Sequence, residues 1–234
     1  MSGIFTFKQF SIDQSDAPFK VGTDGVLLGA LCPNTGIKKA LDIGTGTGLI
    51  ALMLAQRTNA TIDAVEFNPI AAQIAQKNFE QSKWSNRLSV QHTNIQEFKR
   101  DLKYDLIVSN PPYFEDSIKS QNINSSAARH TDTLGIDELL YHSLRLLNNS
   151  GKLCIIYPTD QAIRCIEHAK SLGLYCTRKV SIKPTPSKEV KRMYIELQLL
   201  EVHSIDTTFI IEQNGRHNYS TEYIELTKDF YLSL

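Results

Sequence analysis

The sequence predicts an α/β fold: one mostly parallel sheet with an antiparallel edge and helices on both faces. Three observations predict it. Strand-like and helix-like runs alternate along the chain. A glycine-rich turn, Asp42 to Gly48, follows the first core strand and opens a helix. Near the end, two strand-like runs stand next to each other with only a turn between them. With 234 residues, 41% of them hydrophobic, the chain suffices for one sizeable domain spanning 1–234. About residues 1–36 form an N-terminal strand–helix extension to it.

The elements follow in order. "FTFKQFSI" alternates apolar and polar residues and reads as a strand. "VGTDGVLLGAL" reads as a short apolar helix capped near Thr23 or Asp24. "KKALDIG" is a strand, "GLIALMLAQ" a helix and "TIDAVEF" a strand. In "NPIAAQIAQKNFEQS" Asn68 is the expected N-cap and Pro69 the first helical residue. "RLSVQH" and "YDLIVSN" are strands, and a long polar loop follows from Phe114 to Gly135. "IDELLYHSLRLL" is a helix, "GKLCIIYP" a strand and "DQAIRCIEHAKSLG" a helix. "YCTRKVSI" and "VKRMYIELQLLEV" form an antiparallel pair around "KPTPSKE", and "STEYIELTKDFY" is a closing helix.

Composition narrows the function. The formal net charge is zero, so bulk charge announces no nucleic-acid partner, although a local patch can still serve one. The N-terminus lacks the basic start and apolar core of a signal peptide, and no apolar run approaches a membrane span. The four cysteines have no CxxC spacing, which argues against zinc and for reduced thiols in a cytoplasmic protein.

In sheets of this kind ligands bind beyond the carboxyl ends of the strands, near the topological switch point. The residues just after each strand are therefore the candidates. In "DIGTGTG", Asp42, Gly44, Thr45, Gly46 and Gly48 precede a helix whose first N–H groups are free. The nicotinamide fingerprint G-x-G-x-x-G fails, because Leu49 stands where its third glycine would be. No Lys-Ser/Thr follows the glycines, as a P-loop requires. The G-x-G-x-G form resembles the cofactor loop of class I S-adenosylmethionine-dependent methyltransferases, which have a Rossmann-like sheet. Glu66, at the end of the second core strand, can accept hydrogen bonds from ribose hydroxyls. Asn94, after the third, stands where that family often has an acid touching the adenine. Its amide can accept from the adenine amino group and donate to a ring nitrogen, and a plain turn Asn is the other reading. Lys20, Thr23 and Asp24 precede the loop, either covering the cofactor or capping a helix.

The fourth core strand ends in "SNPPY". Asn110, Pro111, Pro112 and Tyr113 resemble the [DNS]-P-P-[YFW] motif of methyltransferases that modify planar amino or amide nitrogens. Such a nitrogen is a poor nucleophile, because its lone pair is delocalised. The Asn110 side-chain carbonyl and the Pro111 main-chain carbonyl can accept its two hydrogens and favour a more tetrahedral nitrogen in the transition state. Proline holds the bend ready before the reaction. Tyr113 offers a flat face for the target base.

The chain as a whole resembles the bacterial tRNA(Val) adenine-37 N6-methyltransferases. "FTFKQFSIDQSDAPFKVGTDGVLLGA", the Arg129-His130-Thr131 stretch, "KPTPSKEVKRMYIEL" and "LTKDFYL" carry the resemblance. It implies S-adenosylmethionine as cofactor, tRNA as partner and N6 of adenine 37 as target; the chain is expected to act as a monomer, with neither metal nor membrane. Other planar nitrogens stand as alternatives, in an rRNA base, DNA adenine or protein glutamine, as does a binding module without catalysis. Arg178 to Arg192 holds six Lys/Arg and one acid, so Lys188, Lys191 and Arg192 are candidates for phosphate contact. Arg129 and His130, in the polar loop, are candidates for clamping RNA or ordering on it.

Overall fold

The computed structural model describes residues 3–18, 20–112, 134–213 and 215–233. An eight-stranded sheet runs through its centre in the order β5-β4-β3-β6-β7-β9-β8-β10. The strands are β3 (Lys39–Ile43), β4 (Thr61–Glu66), β5 (Leu88–His92), β6 (Tyr104–Ser109), β7 (Leu147–Pro158), β8 (Tyr175–Lys183), β9 (Arg192–Gln198) and β10 (Ile205–Ile210). All run parallel except β9, which is antiparallel to both β7 and β8. The expected antiparallel pair is therefore present, with β9 turned back between its neighbours.

Both faces of the sheet are covered, and the strands alternate between them. Ala40, Ile62, Leu106 and Val108 pack into one core with the helices α1 (Thr23–Leu31) and α2 (Leu49–Arg57). Leu41, Ile43, Val65 and Ile107 pack into the other, with α4 (Ile136–Leu146) and α5 (Thr159–Ser171). Burial on both sides is why these strands read as continuous apolar runs rather than alternating ones. The helix α3 (Pro69–Glu80) starts as its residues dictate. The Asn68 side chain accepts from the N–H groups of Ile70 and Ala71, and Pro69 needs no partner for a missing donor. A short α6 (Thr221–Thr227) closes the chain, capped by the Ser220 hydroxyl, which accepts from Tyr223 N.

Three local expectations change. The opening segment is a hairpin, β1 (Ile4–Thr6) against β2 (Ser11–Asp13), rather than one strand. Phe7 and Phe10 both point into the core and stack at 4.7 Å, and two residues three apart cannot share a face of one flat strand. The cap of α1 is Gly22, which offers no side-chain hydrogen bond, so Thr23 and Asp24 are the first helical residues. Finally, β10 was not expected. Its first four residues are exposed, so it carries almost no burial pattern, and it forms because β8 offers a parallel ladder.

Candidate active site

The switch point lies between β3 and β6, where β3 pairs with β4 on one side and β6 on the other. Ile43 sits opposite Ser109 and opposite Val65. The next residues, Gly44, Asn110 and Glu66, therefore leave three adjacent strands at the same level. A buried hydrogen bond locks this corner: Ser109 Oγ donates to Ile43 O at 2.8 Å.

The glycine loop is bolted down from below. The N–H groups of Gly44 and Thr45 both donate to Val65 O, at 2.9 and 3.2 Å. Glu66 uses its two carboxylate oxygens on backbone: one accepts from Gly46 N at 2.8 Å, the other from Asn68 N at 2.9 Å. It thus ties the loop to the start of α3. A carboxylate offers about four acceptor positions, so two remain for hydroxyls of a ligand.

The glycines divide by role. Gly44 and Gly46 have φ of 72° and 57°, and a Cβ on either would enter open space. That space is a cradle a ligand can fill. Gly48, at φ 85°, is different: a Cβ there would stand 2.5 Å from the Phe79 ring. Close packing between the start of α2 and the end of α3 therefore requires a glycine here.

Asp42 is fully buried beneath the loop. Its Oδ2 accepts from Thr45 Oγ1 at 2.6 Å and from Ala51 N at 3.2 Å. Its Oδ1 has no hydrogen-bond partner among the described residues. Burial pushes the carboxyl up to about 7; the bonds from Thr45 and Ala51 pull it down, and the charge of Glu66 adds to the rise. An orphaned acceptor beneath an open glycine cradle fits a ligand that brings a donor there.

Two residues join the site that the sequence did not single out. Phe67, directly after Glu66, keeps 45% of its surface exposed beside the Glu66 carboxylate. Asn78 is buried and donates to Thr47 O at 2.9 Å and to Asp13 O at 3.1 Å, while its Oδ1 accepts from Asp13 N at 2.9 Å. It clamps the glycine loop to the N-terminal hairpin. A Phe directly after a strand-end acid was a legible signal for the first; nothing local signals the second.

Residues 10–170 match the family model for the methyltransferase small domain. A protein from Trichodesmium erythraeum named tRNA1(Val) (adenine(37)-N6)-methyltransferase is 46% identical over 97% of this chain and 97% of its own. One of the same name from Parabacteroides distasonis is 42% identical over 98% of both. The chain belongs to the tRNA1(Val) (adenine(37)-N6)-methyltransferase family. Its fold is also that of protein Atu636 from Agrobacterium tumefaciens, described as a predicted O-methyltransferase, with a TM-score of 0.68 at 16% identity over 88% of this chain and 96% of that one.

The remaining residues expected from the sequence can be placed within this methyltransferase family member. Asn110 and Pro111 sit at the corner, half-buried and buried, and Pro112 is exposed. Tyr113, Arg129 and His130 lie outside the described residues. Asn94 is exposed after β5, and its main-chain carbonyl starts a turn by accepting from Glu97 N and Phe98 N. Lys20 and Thr23 are exposed at the approach to α1. Asp24 is taken up by Arg192, whose Nε donates to Asp24 Oδ2 at 2.8 Å, joining the start of α1 to β9. Gly25, one residue on, packs against the corner: a Cβ built on it would stand 3.9 Å from Asn110 Nδ2.

The basic strip is smaller than its sequence suggests. Arg178 pairs with Glu196, Lys179 with Asp206 and Arg192 with Asp24, while Lys183 donates to Pro186 O. Lys188 and Lys191 remain exposed on the β8–β9 turn, without a side-chain partner among the described residues. That turn follows the carboxyl end of β8, on the same rim as the glycine loop.

Proposed function

We propose that this chain methylates N6 of adenine 37 in tRNA1(Val), with S-adenosylmethionine as cofactor. The observation that carries the reading is the pairing of β3 with β6. It sets the glycine loop and Asn110-Pro111 side by side at the switch point. A group-donating ligand and a group-accepting nitrogen can then meet there.

The residues divide the work. Gly44, Thr45 and Gly46 cradle the cofactor, Glu66 accepts from its ribose, Asn94 and Phe67 meet its adenine, and Asp42 Oδ1 takes a donor. When bound, S-adenosylmethionine supplies an electrophilic methyl group. Asn110 Oδ1 and the Pro111 carbonyl accept the two hydrogens of the target amino group. They hold it more tightly as the nitrogen becomes tetrahedral, so they act on the transition state more than on binding. The amino proton becomes acidic only once the nitrogen carries its fourth bond, so no base has to act before that. The reading includes action in the cytoplasm by a single copy of the chain.

The test is single-turnover methylation of unmodified tRNA1(Val), followed by nucleoside analysis. The expected product is N6-methyladenosine at position 37. Asn110→Ala should slow turnover on the order of a hundredfold while tRNA affinity changes far less. Methyl groups on another atom, or an equal loss in affinity and rate, would count against the assignment.

A further inference from the structure

On the same rim, beside the catalytic corner, a cavity of about 800 Å³ opens that no step above uses. Elements far apart in sequence wall it: the start of α1, the turn into β9, and aromatic rings around α6. Tyr219 and Tyr223 stack at 4.8 Å with 19° between their planes, and Tyr231 continues the row 6.4 Å from Tyr223. Tyr223 is buried, whereas Tyr219 and Tyr231 are only half-buried. The Arg192–Asp24 ion pair lines the cavity, and the Lys191 side chain stands exposed at its edge.

Strain marks the same place. His217, another lining residue, has φ of 64°, among the described residues a left-handed backbone seen otherwise only at glycines. Its N–H donates to Glu212 Oε1 at 2.8 Å, which holds the loop in that shape. Left-handed non-glycine residues are uncommon, and strained backbone gathers at ligand sites.

The chemistry of the walls selects an occupant. Aromatic faces accept a flat ring; fixed donors and acceptors read its edge; an ammonium at the mouth meets a phosphate. Position selects further. Gly22, the cap of α1, and Thr23 and Asp24, its first residues, line the cavity, and Gly25 abuts Asn110, so the helix start is the partition between cavity and corner.

We propose that this cavity holds a second unpaired nucleotide of the same RNA, a loop neighbour of the methylated adenine. Its base stacks on Tyr219 and its phosphate meets Lys191. The inference rests on the tRNA reading above and adds to it a subsite that grips the loop outside the reaction centre.

The experiment measures binding of a fluorescent anticodon stem-loop of tRNA1(Val) by anisotropy, with the loop nucleotides made abasic one at a time. One abasic position besides 37 should weaken binding to the wild-type protein roughly ten- to hundredfold. Tyr219→Ala should cost about the same with the intact loop and nothing further with that abasic loop. Tyr219→Phe should bind like wild type, which separates stacking from a fold defect. Cofactor affinity should be unchanged in both variants. If no abasic position outside 37 costs affinity, or if the abasic and Tyr219→Ala losses simply add, the cavity does not hold a base. Failure of the stem-loop to bind at all overturns the subsite as well. Loss of methylation with the coupling intact would instead overturn the reaction assigned to the corner and leave the subsite standing.

Discussion

Asp42 shows how much one side chain at this site is asked to do. It is fully buried, two donors hold one oxygen, and the other oxygen has none among the described residues. Burial lifts the folded value from 3.8 to about 7. Between those two values the folded protein keeps a proton that the unfolded chain has released. The folded state then binds more protons, so its stability falls as pH rises through that window and levels off above it. A tenfold change in a protonation equilibrium is worth about 1.4 kcal/mol, so the whole window amounts to a few kcal/mol. The melting temperature of ligand-free protein should therefore drop from pH 4 to 7 more steeply in wild type than in Asp42→Asn. Parallel melting curves for the two proteins would show that Asp42 does not titrate there. A ligand that donates to Oδ1 favours the ionised form, so S-adenosylmethionine should bind wild type more tightly as pH rises through about 7, relative to Asp42→Asn.

At the scale of the element, the β8–β9 turn carries the basic residues that remain available to RNA. Its strands neutralise their own cations: Glu196 alone, buried at 2% exposure, pairs with both Lys152 and Arg178 at 2.8 and 3.0 Å. Removing either partner would leave part of a buried charge uncompensated, a structural penalty rather than a binding one. Lys188 and Lys191 stand apart from that network. Lys188→Ala with Lys191→Ala should leave the melting temperature near wild type and weaken tRNA binding. The slope of log affinity against log salt should shrink by about 1.4, at roughly 0.7 per phosphate contact on single-stranded RNA. An unchanged slope would place the phosphates on another surface. Arg192 is kept out of that test because its loss would also break the ion pair that joins β9 to the start of α1.

At the scale of the whole molecule, the N-terminal hairpin is part of the site's foundation. Its Phe7 and Phe10 share a core with α1, α2 and Phe230, and Lys8 N donates to Phe230 O at 2.7 Å, so both ends of the chain meet there. Asn78 carries this foundation to the glycine loop through its three hydrogen bonds to Asp13 and Thr47. Asn78→Ala would leave Thr47 O and both main-chain groups of Asp13 without that partner. Urea unfolding should show a loss of about 2–3 kcal/mol, together with weaker S-adenosylmethionine binding, although Asn78 lies behind the loop. A stability loss with unchanged cofactor affinity would show that the clamp serves the fold alone.

What the sequence determined by itself is what neighbours along the chain determine. The core strands were legible because burial on both faces makes each an apolar run, closed by Gly, Asn or Pro at the rim. The start of α3 was legible because Asn68 and Pro69 act on groups within three residues of themselves. The glycine loop, Glu66 and Asn110 were legible because each directly ends a strand, and parallel strands end on one side. The tertiary structure alone decided the rest. Phe7 and Phe10 turn the segment into a hairpin because both enter a core that segments as distant as Phe230 help to form. Arg178, Lys179 and Arg192 look like one basic strip until Glu196, Asp206 and Asp24 arrive from other segments. Gly48 separates from Gly44 and Gly46 only once Phe79 lies against it. The tyrosine-lined cavity has no sequence signature at all, because its walls come from the start, middle and end of the chain. Local propensity reaches a few residues, whereas ion pairing, close packing and cavities depend on where the folded chain returns.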